Sequence, residues 1–211
     1  MAVRLGINGF GRIGRYAARL LAGSSELELV AVNARSDSAS MAHLLKYDSV
    51  HGIFSGSVEP NEEGFLLDGK QVLVTQQPAG EWKWGDLGVD VVLETTGKFK
   101  DRDSCQQHLD CGAKKVLISA PGKGVDVTIV PGVNDSELKP EHSVISNASC
   151  TTNCLAPVVK PLHDRFGIEH GNMTTVHSYT MTQRILDGSH KDIRRARAAA
   201  MSMIPTSTGA A

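Results

Sequence analysis

The sequence lacks long apolar runs, internal repeats and an excess of either charge. No stretch is long and apolar enough to cross a bilayer, which argues against a membrane protein. The 211 residues carry 22 Lys and Arg against 23 Asp and Glu, so the formal net charge is −1. No overall field then attracts nucleic acid or a membrane surface, and the one dense basic run, RRAR at 194–197, favours a solvated helix face over a binding role.

Cysteine is also scarce, at four residues: Cys105, Cys111, Cys150 and Cys154. A chain of this length with so few is not a disulfide scaffold, and we expect reduced thiols in the cytoplasm. The spacing of Cys150 and Cys154 with His163 is a poor match to a zinc site, so no metal is expected. The N-terminal MAVRLGING lacks the layout of a secretory signal peptide.

Apolar segments alternate with helical patterns over the first 148 residues. Val3–Ile7 and Leu27–Val32 predict strands, and Gly11–Leu21 between them predicts a helix, which makes a βαβ unit. Asp68-Gly69, within an alternating pattern over 64–75, predicts a hairpin. Further strands are predicted at 89–94, 115–119, 127–130 and 143–146, and further helices at 40–47 and 102–111. The fold class is therefore α/β, a Rossmann-type doubly wound and mostly parallel sheet.

The pattern changes near residue 148. Cys150–Phe166 predicts a helix that its two internal prolines should kink or shorten. Gly171–Thr182 predicts a long strand, and His190–Met201 predicts a helix. We expect residues 149–211 to be the first part of an incomplete α+β domain, because PTSTGAA closes no element.

A glycine pattern lies between the first predicted strand and helix. GINGFGRIG contains G-x-G-x-x-G at Gly9, Gly11 and Gly14. In this context Gly9 permits a tight turn, Gly11 lets the backbone approach a pyrophosphate, and Gly14 lets helix and strand pack closely. The helix N-terminus adds free N–H groups and about half a positive charge. We predict that residues 1–148 are a dinucleotide-binding domain; the alternative is a glycine-rich turn without a ligand.

A second pattern, SNASCTTNC, follows a predicted strand and opens the next predicted helix. A thiol at a helix N-terminus has a lowered pKa, and the free N–H groups there stabilise an oxyanion, so Cys150 is a candidate nucleophile. Cys154 lies one turn further and is expected to be more buried and less reactive; a structural cysteine pair is the alternative. A nucleophilic thiol needs a base, and spacing alone does not separate His177 from His163 or His190.

Together the motifs resemble one family. GINGFGRIGR, LLKYDSVHG, ETTGKF, SNASCTTNCLAP, HSYT before QRILD, and HKDIRRARAAA occur in the order found in the phosphorylating glyceraldehyde-3-phosphate dehydrogenases. The resemblance spans the chain and implies oxidation of glyceraldehyde 3-phosphate with inorganic phosphate to 1,3-bisphosphoglycerate, with NAD or NADP as hydride acceptor. It implies that Cys150 attacks the aldehyde and that His177 is the base. It also implies a cytoplasmic homotetramer when full length.

The resemblance carries further site residues. It implies cofactor-binding positions at Gly9, Gly11, Arg12, Ile13, Gly14, Asn33, Ala34, Arg35 and Ser119. It implies substrate- or phosphate-binding positions at Ser149, Thr151, Thr180, Arg195, Thr208 and Gly209. Because family members continue well beyond STGAA, we expect this chain alone to be inactive or nearly so. Erythrose-4-phosphate dehydrogenase, a sister family, and a non-catalytic dinucleotide-binding module are the alternatives.

One segment departs from the family. VNARSD has Ala34 where family members usually carry an aspartate that bonds the cofactor ribose and repels a 2′-phosphate. Arg35, with Ser36 as a second candidate, is placed to bond such a phosphate. Asp37 is expected to cap the following helix rather than replace the missing carboxylate. The segment therefore favours use of NADP, with or without NAD.

Overall fold

The computed structural model describes residues 1–208. The chain divides into two compact units, Met1–Ser149 (unit 1) and the residues from Cys150 onward (unit 2). The strands of unit 1 are β1 (Val3–Asn8), β2 (Leu27–Asn33), β3 (Tyr47–Asp48), β4 (Gly52–Ile53), β5 (Val58–Asn61), β6 (Gly64–Leu67), β7 (Lys70–Thr75), β8 (Val91–Glu94), β9 (Lys115–Ile118), β10 (Val127–Thr128) and β11 (Val144–Ser146). The α-helices are α1 (Arg12–Ala22), α2 (Ser38–Lys46), α3 (Arg102–Asp110) and, in unit 2, α4 (Cys150–Phe166).

Unit 1 is built on a nine-stranded sheet in the order β10-β11-β9-β8-β1-β2-β7-β6-β5. Strand β1 is parallel to both neighbours, β2 and β8, and only the β5-β6 and β6-β7 pairs are antiparallel among the sheet's strands. The predicted α/β class with a mostly parallel sheet is confirmed. The chain runs from β1 to β2 on one side and later returns to β8 on the other. This reversal makes the carboxyl ends of β1 and β8 the place where such sheets bind ligands.

Apolar side chains from the helices and strands form the core that holds this edge in place. Ala18 of α1 and Leu45 of α2 pack with Ile7 and Val32 of the central strands. A separate cluster joins α3 to the strands β9 and β11. Apolar burial of this kind supplies most of the stability of the sheet, and it leaves the polar strand ends to form the site.

The predicted hairpin is confirmed. Strands β6 and β7 pair antiparallel from Leu67↔Lys70 back to Gly64↔Leu73. Asp68 and Gly69 both have positive φ, at 49° and 77°, as a type I′ turn requires. The hairpin delivers β7 next to β2, and thereby brings the segment that follows β7 to the ligand-binding edge.

In unit 2 the first predicted helix is present, whereas the two elements predicted after it are not. Helix α4 has the predicted bounds and runs through both internal prolines. The strand expected at 171–182 is wrong, because no ladder forms there within residues 1–208; an apolar pattern cannot supply the neighbouring strand that a sheet needs. The helix expected at 190–201 is also wrong, since only Ile193–Ala196 forms a 3₁₀ turn. Asp192 bonds the N–H and guanidinium of Arg194 there, and such local bonds compete with a helix.

Candidate cofactor cleft and thiol site

A cleft of about 750 Å³ opens in unit 1 at the carboxyl ends of the central strands. Its volume lies in the usual range for small-molecule sites. Its lining residues are Asn8, Gly9, Phe10, Gly11, Arg15, Asn33, Ala34, Arg35, Ser36, Met41, Leu44, Gln76, Gln77, Pro78, Ala79, Trp82, Thr95, Thr96, Lys98 and Phe99. Three of them are cations and none is a carboxylate, so the cleft suits an anionic ligand although the chain is nearly neutral.

The three glycines of the first loop lie in different surroundings. Gly9 has φ of +94°, and a Cβ there would lie 2.9 Å from the backbone nitrogen of Thr96. A Cβ on Gly14 would lie 2.3 Å from the carbonyl oxygen of Gly9, so helix and loop pack too closely for a side chain. A Cβ on Gly11 would meet nothing within 4 Å. The protein therefore requires Gly9 and Gly14 for its own packing, whereas open space at Gly11 lets a ligand approach the backbone.

Helix α1 begins at this loop with its N–H groups uncapped by side chains. Gly11 is the N-cap, and the first turn holds no acidic residue, which makes the terminus a suitable place for phosphate. The guanidinium of Arg12 forms an ion pair with Asp48, so the main chain of Arg12 is the part available to a ligand. Ile13 is 57% exposed. Four residues predicted to bind cofactor are absent from the lining of the cleft: Arg12, Ile13, Gly14 and Ser119.

The segment after β2 forms one end of the cleft. Asp37 caps α2 as predicted: its carboxylate accepts from the Ser40 N–H at 2.8 Å and the Ser40 hydroxyl at 2.7 Å. These bonds also lower the pKa of Asp37, the backbone bond most. Ala34 and Arg35 line the cleft, and Arg35 has no hydrogen bond or ion pair to any residue in 1–208. The carboxylate is thus occupied, and the cation is available.

Sequence reasoning missed a buried polar network at the same edge. The family resemblance predicts that Asn33 binds cofactor, but its side chain bonds within the protein, to Asn8, Thr75 and Gln77. Asn8 in turn bonds Glu94. Likewise the hydroxyl of Ser119 donates to the carbonyl oxygen of Glu94 at 3.1 Å. A polar residue at the end of an otherwise apolar strand is the signal that points to such a network.

Unit 2 contains a thiol–imidazole pair. Cys150 is the first residue of α4, and its Sγ lies 3.0 Å from Nε2 of His177. Nδ1 of His177 lies 2.6 Å from the carbonyl oxygen of Ser178, and because a carbonyl only accepts, Nδ1 carries the hydrogen. The structure therefore separates His177 from the other candidate histidines by contact with the thiol.

The electrostatics of the pair favour a thiolate. Desolvation raises the pKa of Cys150, but the hydrogen bond and charge of His177 and the hydroxyl and N–H of Thr151 outweigh it, so the net pKa is lowered. The pKa of His177 is raised, first by the Ser178 carbonyl and then by the thiol. Since the two groups interact, they titrate as one system. A lowered thiol pKa raises the fraction of thiolate at a given pH, and the thiolate is the nucleophilic form of cysteine.

The other residues predicted to bind substrate or phosphate have the following positions. The hydroxyl oxygens of Thr180 and Thr182 lie 3.0 Å apart, and Arg195 donates to Ser207, the neighbour of Thr208, at 3.2 Å. Ser149 immediately precedes α4, and Gly209 lies outside the described residues.

Cys154 differs from expectation. It is exposed rather than more buried than Cys150, which is exposed as well. The reason is that Thr151 is the only buried residue of α4, so the described part of the chain does not cover this face of the helix. All four cysteines are free thiols.

Residues 1–208 contain neither a membrane span nor a metal cluster. No helix there is long and apolar enough to span a membrane. No cluster of three or more His, Cys, Asp or Glu side chains in that range is arranged to hold a metal ion.

Comparison with known proteins gives a consistent result. A sequence model for the NAD binding domain of glyceraldehyde 3-phosphate dehydrogenase matches residues 3–102, and a model for its C-terminal domain matches residues 149–211. The chain is 57% identical to glyceraldehyde-3-phosphate dehydrogenase of Geobacillus stearothermophilus, over 100% of this chain and 64% of that protein. It is 55% identical to the enzyme of Thermotoga maritima, over 99% of this chain and 63% of that protein. The chain thus spans somewhat less than two thirds of the length of these relatives.

Proposed function

Because this chain belongs to the glyceraldehyde-3-phosphate dehydrogenase family, we propose that the protein from which it comes is a phosphorylating aldehyde dehydrogenase. Its substrate is glyceraldehyde 3-phosphate, its second substrate is inorganic phosphate, and its product is 1,3-bisphosphoglycerate. The observation that carries the proposal is the 3.0 Å approach of the Cys150 thiol to Nε2 of His177 at the start of α4. A helix N-terminus, a thiol and a base are the groups that acyl transfer through a thioester needs.

Cys150 and His177 have different roles in the proposed reaction. The Cys150 thiolate attacks the aldehyde carbon while the protonated imidazole of His177 gives its proton to the carbonyl oxygen, which forms a thiohemiacetal whose hydroxyl lies near the N–H groups of α4. His177 takes the hydroxyl proton as the hydride departs, leaving a thioester on Cys150. Phosphate then attacks the carbonyl carbon, the C–S bond breaks, and the Cys150 thiolate returns. Bound nicotinamide supplies the hydride acceptor.

The cleft of unit 1 is proposed to hold that nicotinamide cofactor, as NAD or NADP. Open space at Gly11 and the uncapped N-terminus of α1 suit a pyrophosphate. Asp37 is occupied as the cap of α2, and unpaired Arg35 lines the cleft. Without a carboxylate at position 34, no like charge repels a 2′-phosphate, and Arg35 is available to bond it. We therefore propose that NADP is used, alone or together with NAD.

The assembly and compartment are proposals as well. Free cysteines and the reduced thiol chemistry of the reaction support a cytoplasmic location. Family membership supports a homotetramer of the full-length protein, which analytical ultracentrifugation tests. Small molecules, rather than nucleic acid or a membrane, are the expected partners of a nearly neutral chain.

A burst experiment tests the reaction. Glyceraldehyde 3-phosphate and either cofactor are mixed with this chain, and with the product of the whole reading frame from which it comes, first without phosphate. In the product of the whole reading frame we expect one reduced cofactor per Cys150, followed by steady turnover once phosphate is added, and in this chain alone little or no turnover. Cys150→Ser abolishes the burst, and Cys154→Ser, one turn along α4, keeps it. Cofactor binding without a burst in either protein would favour a non-catalytic dinucleotide-binding module.

A further inference from the structure

A buried carboxylate lies at the end of β8, behind the cleft. Glu94 is 1% exposed, and every polar contact of its side chain within residues 1–208 is with a hydrogen-bond donor. One oxygen accepts from the N–H of Thr96 at 2.7 Å and from the Thr96 hydroxyl; the other accepts from Nδ2 of Asn8 at 2.6 Å and lies 3.2 Å from Nε2 of His108. Buried carboxylates are tolerated when their oxygens are satisfied in this way.

The histidine beside Glu94 is neutral. Nε1 of Trp84 lies 3.0 Å from Nδ1 of His108, and an indole nitrogen only donates. Nδ1 therefore has no hydrogen, and Nε2–H is the donor to Glu94. The pair of Glu94 and His108 is thus a hydrogen bond from Nε2–H of the imidazole to a carboxylate oxygen.

From Glu94 a chain of amides crosses the neighbouring strand ends. Asn8 of β1 accepts at Oδ1 from Nδ2 of Asn33 at the end of β2, at 2.9 Å. Asn33 accepts at Oδ1 from the backbone N–H of Gln77 at 2.8 Å and from the hydroxyl of Thr75 at 2.9 Å. A peptide N–H only donates and a carboxylate only accepts. The N–H of Gln77 at one end of this amide chain and the carboxylate of Glu94 at the other therefore dictate a single orientation for each of the two amides between them.

Both ends of this amide chain reach residues that line the cleft. At one end Glu94 holds Thr96, whose backbone lies against Gly9 of the phosphate loop. At the other end Asn33 bonds both the N–H and the carbonyl oxygen of Gln77, the latter at 3.2 Å. Thr96, Gly9 and Gln77 all line the cleft. One hydrogen-bonded network that includes Glu94 therefore reaches two segments that line the cleft, at Thr96 and at Gln77.

We propose that Glu94 is a positioning residue for dinucleotide binding, which acts through the polarity of the Asn8–Asn33 amide chain. The inference rests on the proposed function, since it requires the cleft to bind a dinucleotide. It assigns Glu94 no contact with the ligand. Its effect reaches Gln77 across the ends of the four adjacent strands β8, β1, β2 and β7.

The first test is Glu94→Gln, with NAD and NADP binding to the chain measured by calorimetry. A glutamine keeps the shape but offers one acceptor and one amide donor. If its oxygen faces Thr96, its amide meets the Asn8 amide and the N–H of His108, and the chain of amides must reorient or lose bonds. We expect binding of both cofactors to weaken about tenfold, the order expected for an unsatisfied buried polar group.

The second test moves the negative charge from Glu94 to its hydrogen-bond partner Asn8, the next residue of the amide chain. In Glu94→Gln combined with Asn8→Asp, the glutamine amide donates to the new carboxylate on β1, which still accepts from Asn33. Gln77 is then held as before, while the N–H of His108 has lost its acceptor. We expect cofactor affinity to recover to within about threefold of wild type while the melting temperature stays below it, because Asn8, although it lines the cleft, is 2% exposed and its new charge replaces the one removed from Glu94. A purely structural role would make affinity and stability change together.

Two controls isolate the effect. Glu62→Gln makes the same substitution at an exposed position outside the cleft. Val144→Ala removes buried volume from β11, away from the cleft lining, and should lower stability without changing affinity.

Each outcome is decisive. Wild-type affinity in Glu94→Gln, or a double variant that binds no better than the single, overturns the positioning role. If Glu94→Gln does not fold, the double variant decides. Cofactor affinity near that of wild type, in a double variant of reduced stability, supports the positioning role of Glu94. Weak cofactor binding by the double variant overturns it. A wild-type chain that binds neither dinucleotide refutes the proposed function of the cleft instead, and the inference with it.

Discussion

His177 donates from Nδ1 to the carbonyl oxygen of Ser178 at 2.6 Å. This bond directs Nε2 of the same ring toward Sγ of Cys150. One backbone carbonyl thereby determines which nitrogen of the imidazole faces the thiol, in the same way that partners of a catalytic histidine usually set its tautomer. The arrangement leads to a direct prediction about the reactivity of the thiol.

His177→Asn should slow the alkylation of Cys150 by iodoacetamide at pH 7 by about tenfold, because an ordinary thiol is only a few per cent thiolate at that pH. A thiolate forms as the pH rises through the pKa of the thiol, and His177 lowers that pKa against desolvation. Without it, desolvation is no longer outweighed by the imidazole, and the midpoint of the rate profile should shift to higher pH. Mass spectrometry of each modified peptide over a range of pH measures the profile.

The alkylation experiment includes two internal controls. Burial raises the pKa of Cys105 to about 12, so this thiol should remain unmodified in the folded protein. His163→Asn makes the matched substitution at an exposed histidine of α4 and should leave the profile of Cys150 unchanged. Identical profiles for wild type and His177→Asn would contradict the role of the imidazole.

Alanine should have opposite consequences for stability and for cofactor binding at two glycines of the loop before α1. Gly14→Ala places a methyl group 2.3 Å from the Gly9 carbonyl oxygen, and such overpacking should cost about 1–3 kcal/mol in the free energy of unfolding. Gly11→Ala places it in open space and should cost at most about 1 kcal/mol at an N-cap. Binding, however, should weaken in Gly11→Ala if a pyrophosphate approaches that backbone. Chemical denaturation and cofactor calorimetry on both variants measure the two effects; a Gly11→Ala variant with unchanged affinity would place the pyrophosphate elsewhere.

The charge at the end of the cleft should control cofactor choice. Arg35→Ala should weaken NADP binding by about tenfold, the value of one charge-assisted hydrogen bond, and leave NAD binding nearly unchanged. Ala34→Asp should act in the opposite sense, strengthening NAD and weakening NADP. Lys70→Ala, at an exposed lysine of the hairpin, serves as the control for loss of a positive charge. Equal changes for both cofactors in Arg35→Ala would show that the guanidinium does not contact the 2′-phosphate.

Several features could be predicted because they depend on neighbouring residues. The turn at Asp68-Gly69 needs positive φ at two consecutive positions, and the residue types show this directly. Asp37 is a short acceptor three residues before the Ser40 N–H, so its capping role is local too. The start of α4 at Cys150 follows from the same kind of short-range pattern. Each of these elements appears in the structure where the sequence predicted it.

Other features depend on distant partners. The expected strand at 171–182 has an apolar pattern but no paired strand within residues 1–208, and pattern alone cannot provide one. Glu94, His108 and Trp84 meet only because β8, α3 and the loop between β7 and β8 bring them together, so the residues around Glu94 in sequence do not indicate that His108 is one of its donors. The resemblance predicts that Asn33 binds cofactor, and Asn33 does line the cleft, but only the fold shows that its amide also bonds Gln77.

The amino-acid sequence by itself determined the parallel α/β unit, the glycine loop at the start of α1 and the thiol at the start of α4, because periodicity, turn chemistry and helix termini are short-range properties. Only the tertiary structure decided which histidine approaches Cys150 and how the Asn8–Asn33 chain is oriented. Those choices depend on hydrogen-bond distances between residues far apart in sequence, and such distances exist only once the chain has folded.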